Sequence, residues 1–168
     1  RRTRDGSQAL SMPHDEVRDF FYARQNYLDA LDNTAERLSA ELDVSNFKIR
    51  ETENALAERL KDKHNVEVIT TSPLDGTQHS FDSETGVLAL ASRLTEGQRA
   101  FRMAAELSFL EAGDLLKELT DDEPFTSEAS LNLAHRGIAS YFAAATLMPY
   151  DTFHTEAEQC GYDIEYLC

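Results

Sequence analysis

The sequence predicts an α+β fold: a mainly helical chain that carries one small antiparallel sheet. Three observations lead there. Apolar residues recur at helical spacing over 13–64, β-branched residues punctuated by turn signals occupy 66–91, and two long apolar helical runs fill most of 94–149. At 168 residues, with 41% hydrophobic and 28% charged positions, the chain is long enough to bury one core, and a single domain follows.

Residues 1–12, with arginines at their start, read as a linker, and 13–168 as the domain proper. Pro13 followed by HDEVRDFFYARQNYLDALDNTAERLSAEL predicts one long helix over 14–42, because proline suits the first turn and the early acids suit the positive end of the helix dipole. Val17, Phe21, Arg24, Leu28, Leu31, Ala35, Leu38 and Leu42 alternate steps of four and three and so share one stripe. Arg24 interrupts that stripe, either snorkelling along it to water or meeting a ligand. A stripe sustained so long is a candidate self-association surface, unless it packs on the chain's own core. Ser45 is the candidate cap of a second helix, NFKIRETENALAERLKDKHN, whose first turns carry Lys48 and Arg50.

VEVITT is rich in β-branched residues, SPLDGTQ carries turn signals, and HSFD, SETG and VLALA read as strand, turn and strand. These place the small antiparallel sheet at 66–91. Thr95 then opens a helical run through GQRAFRMAAELSFLEAGDLLKEL, and Thr126 or Ser127 caps another, LNLAHRGIASYFAAATLMPYDTF, ending near Pro149. HTEAEQCG and YDIEYL predict short terminal helices, so 94–168 forms a helical core with a tail.

The net charge of −15 opposes general binding to nucleic acid, and it makes any cluster of Lys and Arg informative. No apolar run approaches the length of a membrane span, and the N-terminus lacks the apolar centre of a secretory signal. Cys160 and Cys168 give neither a disulfide framework nor a complete metal site. These features fit a cytoplasmic protein, and the two ends read as those of an excised piece.

The stretch RMAAELSFL, with the later IASYFAAATLMPY, resembles the zinc metallopeptidase-like domain associated with prokaryotic regulators. In that family an Ala-His-Glu-Leu-x-His helix places two histidines one turn apart on a metal, with a glutamate to activate water. Here Ala105 and Phe109 stand at the histidine positions and only Glu106 of the trio remains. His135 falls near the third-ligand region, where a lone core histidine is more often a hydrogen-bonded structural residue. No catalytic or metal-binding residue is therefore assigned, and the helix reads as a retained scaffold, a degenerate metallopeptidase-like core.

With SMPHDEVRDFFYARQNYLDALDNTAERLSAEL added, the chain resembles, over nearly its full length, the central domain of the short-chain acyl-CoA-responsive transcription regulators of actinobacteria. The propionate regulators of the methylcitrate cycle are the nearest type. The resemblance implies a ligand-sensing domain that binds CoA or a short acyl-CoA, propionyl-CoA foremost. It implies a helix-turn-helix domain on the N-terminal side that contacts DNA, a homo-oligomer, and a [4Fe-4S] cluster held only by a later region of the full-length protein.

CoA needs cations for its phosphates, an aromatic plate for its purine and a narrow apolar channel. Lys48 and Arg50 form the sharpest basic pair, or else pair with nearby acids such as Glu51 and Glu53. Arg93, Arg99 and Arg102 form a second cluster, with Arg102 beside the small Ala104 and Ala105. Tyr141 adds an aromatic edge on the facing helix, though it serves equally as core. The expected ligand residues are thus Lys48, Arg50, Arg102, Arg24, Arg99, Tyr141 and Ala105. Two other readings stand beside this one: a protein-interaction domain with no small ligand, and a surviving hydrolase built on Glu106.

Overall fold

The computed structural model describes residues 12–44, 48–73 and 76–149, and it divides the first expected helix in two. Residues 14–42 are not one helix: α1 (Pro13–Ala23) and α2 (Asp29–Glu41) are separated by a turn. In that turn Gln25 and Asn26 adopt positive φ, 53° and 58°, the left-handed region in which helices often end. The Gln25 and Asn26 N–H groups donate to the Tyr22 and Phe21 carbonyls at 3.0 and 2.9 Å, which closes α1. Phe20 from α1 and Leu28, Leu31, Ala35 and Leu38 around α2 are all buried. Most of the stripe that made 14–42 a candidate self-association surface is therefore spent on the chain's own core.

Helix α3 (Ile49–His64) begins at Lys48, whose backbone N–H donates to Glu51 Oε2 at 2.8 Å. Ser45, the expected cap, lies outside the described residues. Thr52, Leu56 and Leu60 form its buried face. Asn65, at φ 53°, stops the helix, and the Val66 N–H donates back to the Leu60 carbonyl at 3.0 Å, which turns the chain into the sheet.

That sheet is mixed rather than antiparallel. Its strands β1 (Glu67–Thr71), β2 (His79–Asp82) and β3 (Val87–Ala91) lie in the order β1-β3-β2, with β2 antiparallel and β1 parallel to β3. The turn after Asp82 is tight: Asp82 Oδ1 accepts the Glu84 N–H at 2.9 Å, and Gly86 has φ 66°. A Cβ at Gly86 would sit 2.8 Å from the Asn65 carbonyl oxygen, so glycine is required where the hairpin passes the end of α3. The segment with Pro73 is instead a crossover that carries β2 past β3 to the far edge. The uniformly apolar VLALA thereby becomes the central strand, with Leu88 and Leu90 buried.

Helix α4 (Glu96–Glu111) starts with a reciprocal cap: Thr95 Oγ1 accepts the Gln98 N–H at 3.3 Å, and Gln98 Oε1 accepts the Thr95 N–H at 2.9 Å. The run read as one helix breaks at Ala112, and α5 (Gly113–Asp121) follows in a new direction. Ser127, rather than Thr126, caps α6 (Glu128–Leu147) by accepting the Ser130 N–H at 3.1 Å. Helix α6 is the hub, touching α1, α2, α4 and α5, while α3 covers α4 and β1. Gly137 lets α1 approach, since a Cβ there would lie 3.0 Å from the Phe21 ring. The short helices expected beyond 150, with Cys160 and Cys168, fall outside the described residues. Among those residues no helix is long and apolar enough to cross a membrane.

Candidate ligand site

Arg102, Ala105, Glu106 and Phe109 are spaced by three and four along α4 and share one face of it. The opposite face, Ala100, Met103, Ala104 and Leu107, is buried and fixes the helix in the core. Ala105 and Glu106 are half-buried, whereas Phe109 is 42% exposed. Burial pushes the Glu106 carboxyl above the ordinary carboxylate range, and among the described residues it makes no hydrogen bond or ion pair. A metallopeptidase zinc does not fit this helix: neither histidine position offers a donor atom, and no cluster of three His, Cys, Asp or Glu able to hold a metal exists among the described residues.

Several of the expected ligand residues already have work inside the fold. Arg99 holds Glu53 with two nitrogens, at 2.6 and 3.1 Å, and donates to the Leu94 carbonyl at 2.6 Å, which clamps α3 to the start of α4. Arg24 is only partly open to water: its guanidinium lies 4.0 Å from the Phe20 ring centre, donates to the Phe20 carbonyl at 3.1 Å and pairs with Glu123. The Tyr141 hydroxyl donates to Asp32 Oδ2 at 2.6 Å and faces the Leu28 N–H at 3.4 Å, joining α6 to the start of α2. Burial and the Asp32 carboxylate push that hydroxyl up to about 12.

The basic residues chosen for phosphate do not share a partner. Lys48 and Arg50 sit at the exposed start of α3, where Arg50 pairs with Glu96 at 3.2 Å while 78% of its side chain stays accessible. Arg102 instead donates to Gln78 Oε1 at 2.7 Å, just before β2. Arg93 turns to the Gly76 carbonyl. Desolvation of the ring, helped by the positive charges of Arg102 and Arg136, holds the His79 pKa below the ordinary value.

Sequence reasoning missed three features. The first is the group at the α2–α3–α4 junction, where Arg59 donates to Glu111 at 2.7 and 2.6 Å and to Glu41 at 2.6 Å, and His64 meets Glu111 at 3.0 Å. Burial would raise the Glu111 carboxyl, but Arg59 and His64 outweigh it and hold it at about 2. An arginine beside the Leu56–Leu60 stripe was the available signal. The second is the positive field of Arg102 and Arg136 at His79, for which no local pattern exists. The third is a cleft of about 540 Å³ between α2, the α4–α5 junction and α6, whose lining includes Arg37, Phe109, Lys117 and His135. His135 is held there by Thr120 Oγ1 at 2.9 Å, a structural role for that lone histidine.

Comparison with known proteins follows the same outline. The peptidase M78 family, described as the IrrE N-terminal-like domain, matches residues 61–167. The chain is 45% identical over 163 residues to the HTH-type transcriptional regulator RamB of Mycobacterium tuberculosis, covering 96% of this chain and 34% of RamB. It is 38% identical to the HTH-type transcriptional regulator PrpR of the same species over 95% of this chain and 32% of PrpR. It is 31% identical to the propionyl-CoA carboxylase regulator of Cereibacter sphaeroides, over 98% of this chain and 34% of that protein. A solved Mycobacterium tuberculosis transcriptional regulator superposes with a TM-score of 0.83 at 38% identity, covering 94% of this chain and 47% of that one. The chain thus spans about a third of the length of these curated relatives.

Proposed function

The chain belongs to the peptidase M78 family of IrrE N-terminal-like domains, and from that premise we propose that it is the ligand-sensing domain of a transcription regulator, not a peptidase. The observation that carries the reading is α4 itself: a metallopeptidase helix kept as a packed scaffold with Ala105 and Phe109 in place of the ligands, in a chain whose relatives are named as transcription regulators. The ligand is CoA or a short-chain acyl-CoA, propionyl-CoA foremost, and the genes controlled are those of propionate use through the methylcitrate cycle. The name of the Cereibacter sphaeroides relative supports the propionyl arm. Acetyl-CoA, one methylene shorter, is the comparison ligand.

In the full-length protein, DNA binding belongs to an N-terminal domain and any [4Fe-4S] cluster to a later region. The protein acts in the cytoplasm, where its operator lies, and as a homo-oligomer, through surfaces other than the buried stripe of α1 and α2. Native mass spectrometry of the full-length protein tests the reading. Retained or added propionyl-CoA or acetyl-CoA at one per chain supports it. No binding of either, with one tightly held zinc per chain that Glu106→Gln releases, would return the protein to the hydrolases.

A further inference from the structure

Phe109 stands where the metallopeptidase helix would carry its second histidine, and it remains 42% exposed in the wall of the cleft of about 540 Å³ between α2, the α4–α5 junction and α6. That volume falls within the roughly 300–1,000 Å³ usual for small-molecule sites. Half-buried Leu110 and Leu115 continue the apolar wall, and Gly113 leaves room beside it, since a Cβ there would meet nothing within 4 Å. The charges around the cleft balance, Arg37 and Lys117 against Glu111 and Asp114. It therefore suits the uncharged end of a ligand and not its phosphates. A groove of about 400 Å³ before α6 is lined instead by Asp121, Glu123 and Glu128 with no cation among its described residues, and it repels an anionic ligand altogether.

One polar group of the cleft is fixed in place yet only half used. The Thr120 hydroxyl directs its proton to the Leu116 and Lys117 carbonyls, each at 3.0 Å, so its oxygen accepts from His135 Nε2–H at 2.9 Å. That tautomer leaves Nδ1 as a lone-pair acceptor with no hydrogen bond among the described residues. Burial, with Lys117 beside the ring, lowers the His135 pKa and keeps the imidazole neutral at pH 7. We propose that this cleft takes the acyl-pantetheine end of the ligand, with Phe109 as the wall that limits acyl-chain length and His135 Nδ1 as the acceptor of a pantetheine amide N–H. The rest of the ligand runs back along the α4 face, on which Arg102 lies two turns, about 10 Å, from Phe109.

The proposal rests on the acyl-CoA reading, and calorimetric titration of the full-length protein with acetyl-, propionyl- and hexanoyl-CoA tests the two separately. The parent should bind hexanoyl-CoA at least about 10-fold more weakly than propionyl-CoA, and Phe109→Ala should bring the two within about twofold. Phe109→Trp should shift the preference towards acetyl-CoA. His135→Gln keeps a donor for Thr120 but loses the Nδ1 acceptor, and it should weaken all three ligands by about 5- to 10-fold with circular dichroism unchanged. Should propionyl-CoA bind the parent while both Phe109 variants keep the parent's chain-length order and His135→Gln binds as tightly as the parent, the cleft is overturned and the acyl-CoA reading stands. Should none of the three bind the parent, the acyl-CoA reading falls and takes the proposal with it.

Discussion

At the C-terminal end of α4, Glu111 meets Arg59 and His64 with every charge answered; earlier on the same helix, Arg102 and Glu106 have no partner of opposite charge among the described residues. Both regions are half-buried clusters of charge on the same helix. The difference is that the first is closed and the second is open. A charge taken out of water is tolerable only when paired and hydrogen-bonded, so the Arg59 group reads as structure, and charges left unpaired read as a place where something else completes the pairing.

Breaking the closed region should have the largest effect. Only 11% of the Arg59 side chain is accessible, so Arg59→Met leaves Glu111 and Glu41 facing each other with little compensation. A loss on the order of 3 kcal/mol is expected, read as a urea midpoint lowered by about 1 to 2 M. Arg102→Gln, in the open region, should change the unfolding free energy by less than about 0.5 kcal/mol.

Acid sharpens the contrast. Glu111 titrates at about 2 in the fold against its ordinary 4.5. A carboxylate with a depressed pKa contributes stability that is fully present above pH 4.5 and is lost as pH falls towards 2, here on the order of 3 kcal/mol. Equilibrium unfolding at stepped pH should show that slope in the parent and a much shallower one in Arg59→Met. Glu106 has the opposite sign, since burial raises its pKa; protonation favours its folded environment, and Glu106→Gln should leave the acid limb in place.

A smaller effect is expected where a residue chosen for the ligand has a structural partner. Tyr141→Phe removes the 2.6 Å bond to Asp32 and should cost about 1 kcal/mol of stability in thermal unfolding, with acyl-CoA affinity unchanged. A specific loss of affinity without loss of stability would restore Tyr141 to the ligand site.

Much of the fold was legible in the sequence because local patterns carry it. The Thr95/Gln98 cap, the buried faces of α3 and α4 and the apolar run of α6 are all written in neighbouring residues. What failed was decided by a few backbone dihedrals or by the path of a connection. Gln25 and Asn26 look helical by period yet turn left-handed, and the crossover at Pro73 makes β1 parallel to β3. The candidate site was legible only in part. The substitution of Ala105 and Phe109 for histidine is local and was readable, and so was Arg102. The meeting of Arg102 with Gln78, just before β2, is long-range, and no spacing rule finds it. Lys48 and Arg50 are the kind of pair that sequence shows, because they are near neighbours along the chain.

The open region is tested most directly by hydrogen–deuterium exchange of the full-length protein with and without saturating propionyl-CoA. Ligand should slow exchange at 76–80 and 99–106, the segments that carry Gln78, Arg102 and Glu106, while 55–64, around Arg59, stays unchanged because that junction is already closed. Protection confined to 48–53, with 76–80 and 99–106 unaffected, would contradict the account and assign the ligand to Lys48 and Arg50.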